Sequence, residues 1–151
     1  MYDSTQDTLD HIDKVKEKLW WFEAQLRRRA DVHDASKLEP QEKPYFDELS
    51  PLLAGVTYGS DEYKELLVRL GPALEHHYAN NRHHPEHWPD GIDNMNLVDI
   101  VEMFCDWYAA SQRHADGDIS KSIEYNRTRF DMDNQLYRIF MNTVGMVEGK
   151  K

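Results

Sequence analysis

Ser60-Asp61-Glu62-Tyr63-Lys64-Glu65-Leu66-Leu67-Val68-Arg69-Leu70-Gly71-Pro72-Ala73-Leu74-Glu75-His76-His77 reads as an amphipathic helix. Ser60 can cap it, and Asp61 and Glu62 sit where a helix N-terminus favours negative charge. Tyr63, Leu66, Leu67, Leu70, Leu74 and His77 recur at three- and four-residue steps, the stripe that a helix turns toward a core. Gly71-Pro72 is expected to kink or split the helix. The stripe ends on a histidine, so His77 should point where the apolar residues point, with His76 flanking it.

His77 belongs to a longer tract, His76-His77-Tyr78-Ala79-Asn80-Asn81-Arg82-His83-His84-Pro85-Glu86-His87. It holds five of the chain's eight histidines in twelve residues. The bland alternative is a polar surface loop whose histidines are incidental. Neutral imidazole, however, is the commonest protein ligand for transition metals, and other histidines and carboxylates fall in suggestive places along the chain.

Working outward, the same periodicity recurs and no strand-like alternation interrupts it. Ser4 and Asp7 open a first helix whose stripe is Leu9, Ile12, Val15, Leu19, Phe22 and Leu26, with His11 beside it. Arg27-Arg28-Arg29 reads as a solvated face. Pro40 and Pro44 end that helix and open a loop. A short helix around Tyr45 to Leu49 follows, then a loop from Pro51 to Gly59. Beyond the histidine tract, Pro89-Asp90-Gly91 marks a turn and Asn96 can cap the next helix. That helix carries Val98, Val101, Cys105 and Tyr108 on one side and Asp99, Glu102 and Asp106 on another, and should end near Gly117. Two more amphipathic segments run through Ile119, Ile123 and Phe130, and through Leu136, Ile139, Phe140 and Thr143. The expected architecture is all-α, a single-domain bundle of six or seven helices over residues 1–151, with 146–151 frayed.

Composition bounds the function. Hydrophobic residues make up 40% and charged residues 30% of the chain, the balance of a globular protein. The formal net charge of −10 argues against a general nucleic-acid-binding role. There is no run long enough to span a membrane and no signal-peptide pattern in MYDSTQDTLDHID. Cys105 is the only cysteine, which excludes an internal disulfide and a cysteine-built zinc site. A reducing cytoplasm is the simplest compartment. Trp20, Trp21, Trp88 and Trp107 are hard to bury together in one small core and would suit a homodimer interface.

His33-Asp34 is a histidine–carboxylate doublet, and with Lys37 it reads His33-Asp34-x-x-Lys37. This resembles the HD-domain metal-dependent phosphohydrolases, in which a first His, a His-Asp doublet and a distant Asp bind divalent metal. His83-His84-Pro85-Glu86 followed by Asp90-Gly91 resembles the His-His-Glu…Asp-Gly segment of the HD-GYP branch. Cys105-Asp106-Trp107-Tyr108-Ala109 is similar to that branch's helix bearing the distal metal Asp. The resemblance implies an HD-like fold and the metal ligands His11, His33, Asp34, His77, His83, His84 and Asp106, with Asp99 and Glu102 as flanking candidates. It departs at Ile92-Asp93, where that branch has Gly-Tyr-Pro, and in the shorter gap between His77 and His83. Over nearly its whole length the chain also resembles a family of short bacterial and phage proteins carrying HDxSKL and HHYxxNRHHPEH, which brings no activity with it.

The implied chemistry is hydrolysis of a phosphate ester or nucleotide by a metal-activated water. Lys37, Arg82 and Arg113 are the candidates to neutralise phosphate charge, Arg113 because it lies seven residues after Asp106 on the same expected helix. Mixed His and Asp donors suit Mn, Fe, Co, Ni or Zn, as one ion or two with His77, His83 and His84 serving the second. His87 is expected in the loop, orienting a ligand or a phosphate. Two alternatives stand beside this reading. One is an all-α nucleoside-triphosphate pyrophosphatase using Asp99, Glu102 and Asp106. The other is a non-catalytic metal-binding or interaction protein on an HD-like scaffold.

Overall fold

The structure is a computed structural model that describes residues 2–57, 60–113 and 117–149. The fold is all-α: α1 (Thr5–Val32), α2 (Lys43–Leu53), α3 (Asp61–Asn80), α4 (Leu97–Ser111), α5 (Ile119–Arg129) and α6 (Asn134–Val147). Short 3-10 turns at Ala35–Leu38, Pro85–His87 and Gly91–Asn94 join them. There is no strand among the described residues. No helix in them is long and apolar enough to cross a membrane.

The helices fall into two compact units, Met1–His33 and Asp34–Lys151. The first is α1 with its end residues. No residue of α1 is buried: of the stripe expected to face a core, Leu9, Ile12, Val15 and Leu19 stand exposed, Leu19 at 62%, and Phe22 and Leu26 are half-buried.

The second unit holds the core. Met103, Phe104, Trp107, Ile119, Ile123, Met132, Phe140 and Val144 pack together from α4, α5, α6 and the turn before α6. Leu49, Leu70 and Ala73 form a smaller cluster between α2 and α3, flanked by Phe46, Leu53, Leu66, Leu67 and Leu74. Burying each large apolar side chain contributes about 1.5–3 kcal/mol, so these two clusters set the helix arrangement.

Helix ends follow local chemistry. Ser60 Oγ accepts from the Tyr63 N–H at 3.1 Å, as its place before Asp61 predicts. Asn96 and Asp99 form a reciprocal capping box on α4. Asp118 and Asp133 cap α5 and α6. Gly71-Pro72 does not split α3, which runs on through Pro72 because Leu70 and Ala73 on either side are buried. Two other boundaries differ from expectation. α4 stops at Ser111, short of Gly117, and α6 continues through Gly145 to Val147.

The largest correction concerns α4. Its buried side carries Asp99, Glu102, Met103 and Trp107, while Val101 and Cys105 face solvent. The acidic face is therefore turned inward. Carboxylates tolerate this only when they are paired, and their partners lie in the histidine tract.

Candidate metal centre

α3 carries its stripe to its last turn, so His77 is 2% exposed, packed behind Leu70 and Ala73. The chain leaves α3 in extended conformation at Asn81 and turns back at Pro85. That return buries His83, at 1% exposure, and half-buries His84. Asp34 opens the Ala35–Leu38 turn from the left-handed region, at φ 55°, which Asp adopts more readily than most residues.

These four side chains converge. Asp34, His77, His83 and His84 each place one donor atom within 4.8 Å of the others'. His77 Nε2 lies 2.9 Å from His84 Nε2 and 3.3 Å from Asp34 Oδ1. His83 Nε2 lies 3.5 Å from the same Asp34 oxygen. Donors bound to one tetrahedral ion at about 2.0–2.2 Å stand roughly 3.3–3.5 Å apart; the two spacings to Asp34 match a single small cation, and the 2.9 Å between His77 and His84 is tighter. An Asp106 oxygen also lies within 4.8 Å of one from Asp34.

Three of the four, His77, His83 and Asp34, are held from behind. His77 Nδ1 is 2.9 Å from Glu42 Oε2. His83 Nδ1 is 3.2 Å from Glu102 Oε1. Lys37 Nζ pairs with Asp34 Oδ2 and lies over the Phe46 ring. Asn81 donates to Ser36 Oγ at 2.7 Å and to the His77 carbonyl at 2.8 Å, tying the turn at residue 36 to the end of α3. His84 is kept neutral. Burial and the neighbouring rings of His83 and His77 push its pKa down to about 3, against weaker upward pulls from Asp106 and Asp34. Neutral imidazole is the form that binds metal.

A family model described as "Family of unknown function (DUF5662)" matches residues 1–146. The chain belongs to the DUF5662 family. No curated protein and no solved structure matches it.

In this DUF5662 chain the site expected from sequence is gathered in part. Asp34, His77, His83 and His84 come together, with Asp106 beside Asp34. His77, His83 and His84 share Asp34 rather than forming a second set apart from it. His33 caps α1 and closes the first unit, one peptide bond before Asp34. His11 does not join His33. His11 lies on α1 and His33 at its C-cap, 22 residues on, a span that along a helix at ~1.5 Å per residue is about 33 Å. Of the flanking histidines, His76 meets Glu42 Oε1 at 2.7 Å, and His87 Nδ1 meets the Tyr78 carbonyl at 2.7 Å.

The expected phosphate-binding cations are placed otherwise. Lys37 is engaged with Asp34. Arg82 meets both Asp99 oxygens at 3.3 Å and stacks over Trp88, 4.2 Å from its ring centre. Arg113 lies beyond the end of α4, exposed, so the seven-residue step from Asp106 no longer sets its direction. Nor do Asp99, Glu102 and Asp106 make one open acidic surface, since Asp99 caps α4 and Glu102 meets His83. Sequence reading missed Glu42, Ser36 and Asn81. Glu42 stands between two prolines and meets its histidine partners 34 and 35 residues on, so no local pattern pointed to it.

Proposed function

We propose that this chain is a metal-dependent hydrolase of phosphate esters, with one divalent ion held by Asp34, His77, His83 and His84. The observation that carries the proposal is the convergence of these four donors in the interior. Three imidazoles and one carboxylate suit Mn, Fe, Co, Ni or Zn better than Mg or Ca. An ion held there would supply Lewis acidity, polarising a phosphoryl oxygen and making water a competent nucleophile near neutral pH. The chain's own part is to turn three rings inward, to keep that of His84 neutral, and to offset the charge of Asp34 through Lys37. The order of His33-Asp34 and Asp106 in the chain supports an HD-like relationship, and with it a small phosphorylated substrate such as a nucleotide.

One observation favours a second reading. Four protein donors complete a tetrahedral ion and leave it no water position, the arrangement of a structural site. The same four leave two positions open on an octahedral ion. Metal analysis of the purified protein, with a panel of phosphate esters and nucleotides assayed before and after chelation, separates these cases. The expected outcome is roughly one ion per chain, hydrolysis abolished by chelator and restored by metal, and both lost in a folded His83→Ala variant. Bound metal with no turnover would favour the structural reading. No metal in the folded protein would overturn both.

A further inference from the structure

Glu42 is fully buried, at 0% exposure, on the short segment between Pro40 and Pro44. A carboxylate taken out of water needs charge-compensating or hydrogen-bonding partners. Glu42 finds two histidines. Its Oε1 lies 2.7 Å from His76 Nδ1 and its Oε2 lies 2.9 Å from His77 Nδ1. Side chains of consecutive helical residues diverge, so a single carboxylate at the end of α3 spans both rings, one oxygen each. Glu102, 9% exposed on α4, repeats the arrangement on His83, with 3.2 Å between Oε1 and Nδ1.

These contacts fix protons. A carboxylate oxygen this close to a ring nitrogen requires the proton on the nitrogen, since two lone pairs would otherwise face each other. Asn81 Nδ2 lies 3.1 Å from His77 Nδ1, but its two hydrogens go to Ser36 Oγ and the His77 carbonyl, so it does not compete for that nitrogen. A neutral ring with its proton on Nδ1 presents Nε2 as a lone pair. The Nε2 atoms of His77 and His83 lie farther from Asp34 Oδ1, at 3.3 and 3.5 Å, outside the usual range of about 2.7–3.2 Å for an N–H···O bond, so these contacts do not claim the proton and leave facing lone pairs that a cation would bridge.

We propose that Glu42 and Glu102 are positioning residues that lock His77 and His83 in the tautomer and orientation needed to bind a divalent transition-metal ion through Nε2. This rests on the metal-centre reading above. A carboxylate behind an imidazole ligand also raises the ring's basicity, and losing such a partner typically weakens metal binding 10- to 100-fold. Glutamine at 102 keeps an acceptor for Nδ1–H but loses the charge; at 42 it loses the charge and its single oxygen serves only one of the two rings. Leucine removes acceptor and charge.

The test uses the full-length chain, with Zn²⁺ as the probe and Glu48→Gln, an exposed carboxylate paired with Arg69, as control. Zn²⁺ affinity is measured by competition against a chromophoric chelator. Ring tautomers are read in the metal-free protein by long-range ¹H–¹⁵N correlation. Glu42→Gln and Glu102→Gln should each weaken Zn²⁺ about 10-fold, Glu42→Leu up to about 100-fold, and Glu48→Gln should leave it unchanged. His77 and His83 in the wild type should show Nδ1 protonated and Nε2 bare. If folded Glu42→Gln and Glu102→Gln bind Zn²⁺ as wild type does, or if either wild-type ring carries its proton on Nε2, the inference fails while the metal centre stands. If the wild type binds no Zn²⁺ or other transition metal, the metal-centre reading falls and takes the inference with it. Should the variants not fold, the wild-type tautomers decide.

Discussion

At position 84 the protein holds an imidazole that resists protonation. An unfolded histidine takes its proton near about 6.5. The folded His84 ring does so only near about 3, chiefly because burial and the rings of His83 and His77 oppose a positive charge. Between these two values the unfolded chain binds the extra proton, so stability rises with pH there. The contribution of the neutral ring is therefore whole above about 6.5 and drains away as the pH falls toward about 3, by at most about 1.4 kcal/mol per pH unit. In metal-free protein, denaturant melts at pH 7 and pH 5 should show a larger loss for wild type than for His84→Gln. Parallel losses in the two proteins would show that His84 does not titrate this way. At this scale the sequence reveals which residues can carry chemistry and conceals what faces them. His77 was legible because it continues an apolar stripe. The Arg82 ion pair was not legible, because its partner, Asp99, lies 17 residues away across a turn. Glu42 left no trace, since a lone glutamate between prolines looks like any solvated loop residue.

Elements were more legible than their faces. Ser60 and Asn96 sit at helix starts for a reason confined to three or four residues, so their caps could be read directly. The α4 face could not. Val98, Val101, Cys105 and Tyr108 make a plausible apolar side, yet the buried side is the one bearing Asp99 and Glu102. Periodicity reports which residues share a face, whereas burial depends on what another element brings to it. Here the partners come from the histidine tract and Arg82, and they make an acidic face the better one to bury. The cap on α4 is correspondingly important. Asn96 Oδ1 accepts from Val98 N at 2.9 Å and Asp99 N at 3.1 Å, while Asp99 Oδ2 accepts from Asn96 N at 3.1 Å. Asn96→Ala should cost about 1 kcal/mol of stability, seen as a lower denaturant midpoint with an unchanged slope. Zn²⁺ affinity of the folded variant should stay within twofold of wild type, because the cap touches none of the four donors. A tenfold loss of affinity would mean that the start of α4 positions the site.

The whole molecule divides at the His33-Asp34 doublet, with the centre's four donors all in the second unit. The first unit is the part where sequence reasoning misled most. Its stripe of Leu9, Ile12, Val15, Leu19, Phe22 and Leu26 has the period of a core-facing helix, yet none of these residues is buried. A hydrophobic period identifies a face and says nothing of what covers it. The energetic consequence is direct. Isolated helices gain little from propensity alone, and most helical stability in proteins comes from packing an apolar face. α1 has no buried residue, whereas α4, α5 and α6 share Met103, Ile123 and Phe140, each 3% exposed or less. Local opening should therefore cost little in α1 and approach the global free energy of unfolding, about 5–15 kcal/mol for a typical domain, in α4 to α6. In native-state hydrogen exchange on the monomeric, metal-free chain, amides of α1 should exchange at least 100-fold faster than those around Met103 and Ile123. Protection in α1 within tenfold of the core would show that its stripe is covered in solution, and a further dependence of that protection on protein concentration would identify the cover as a second copy of the chain.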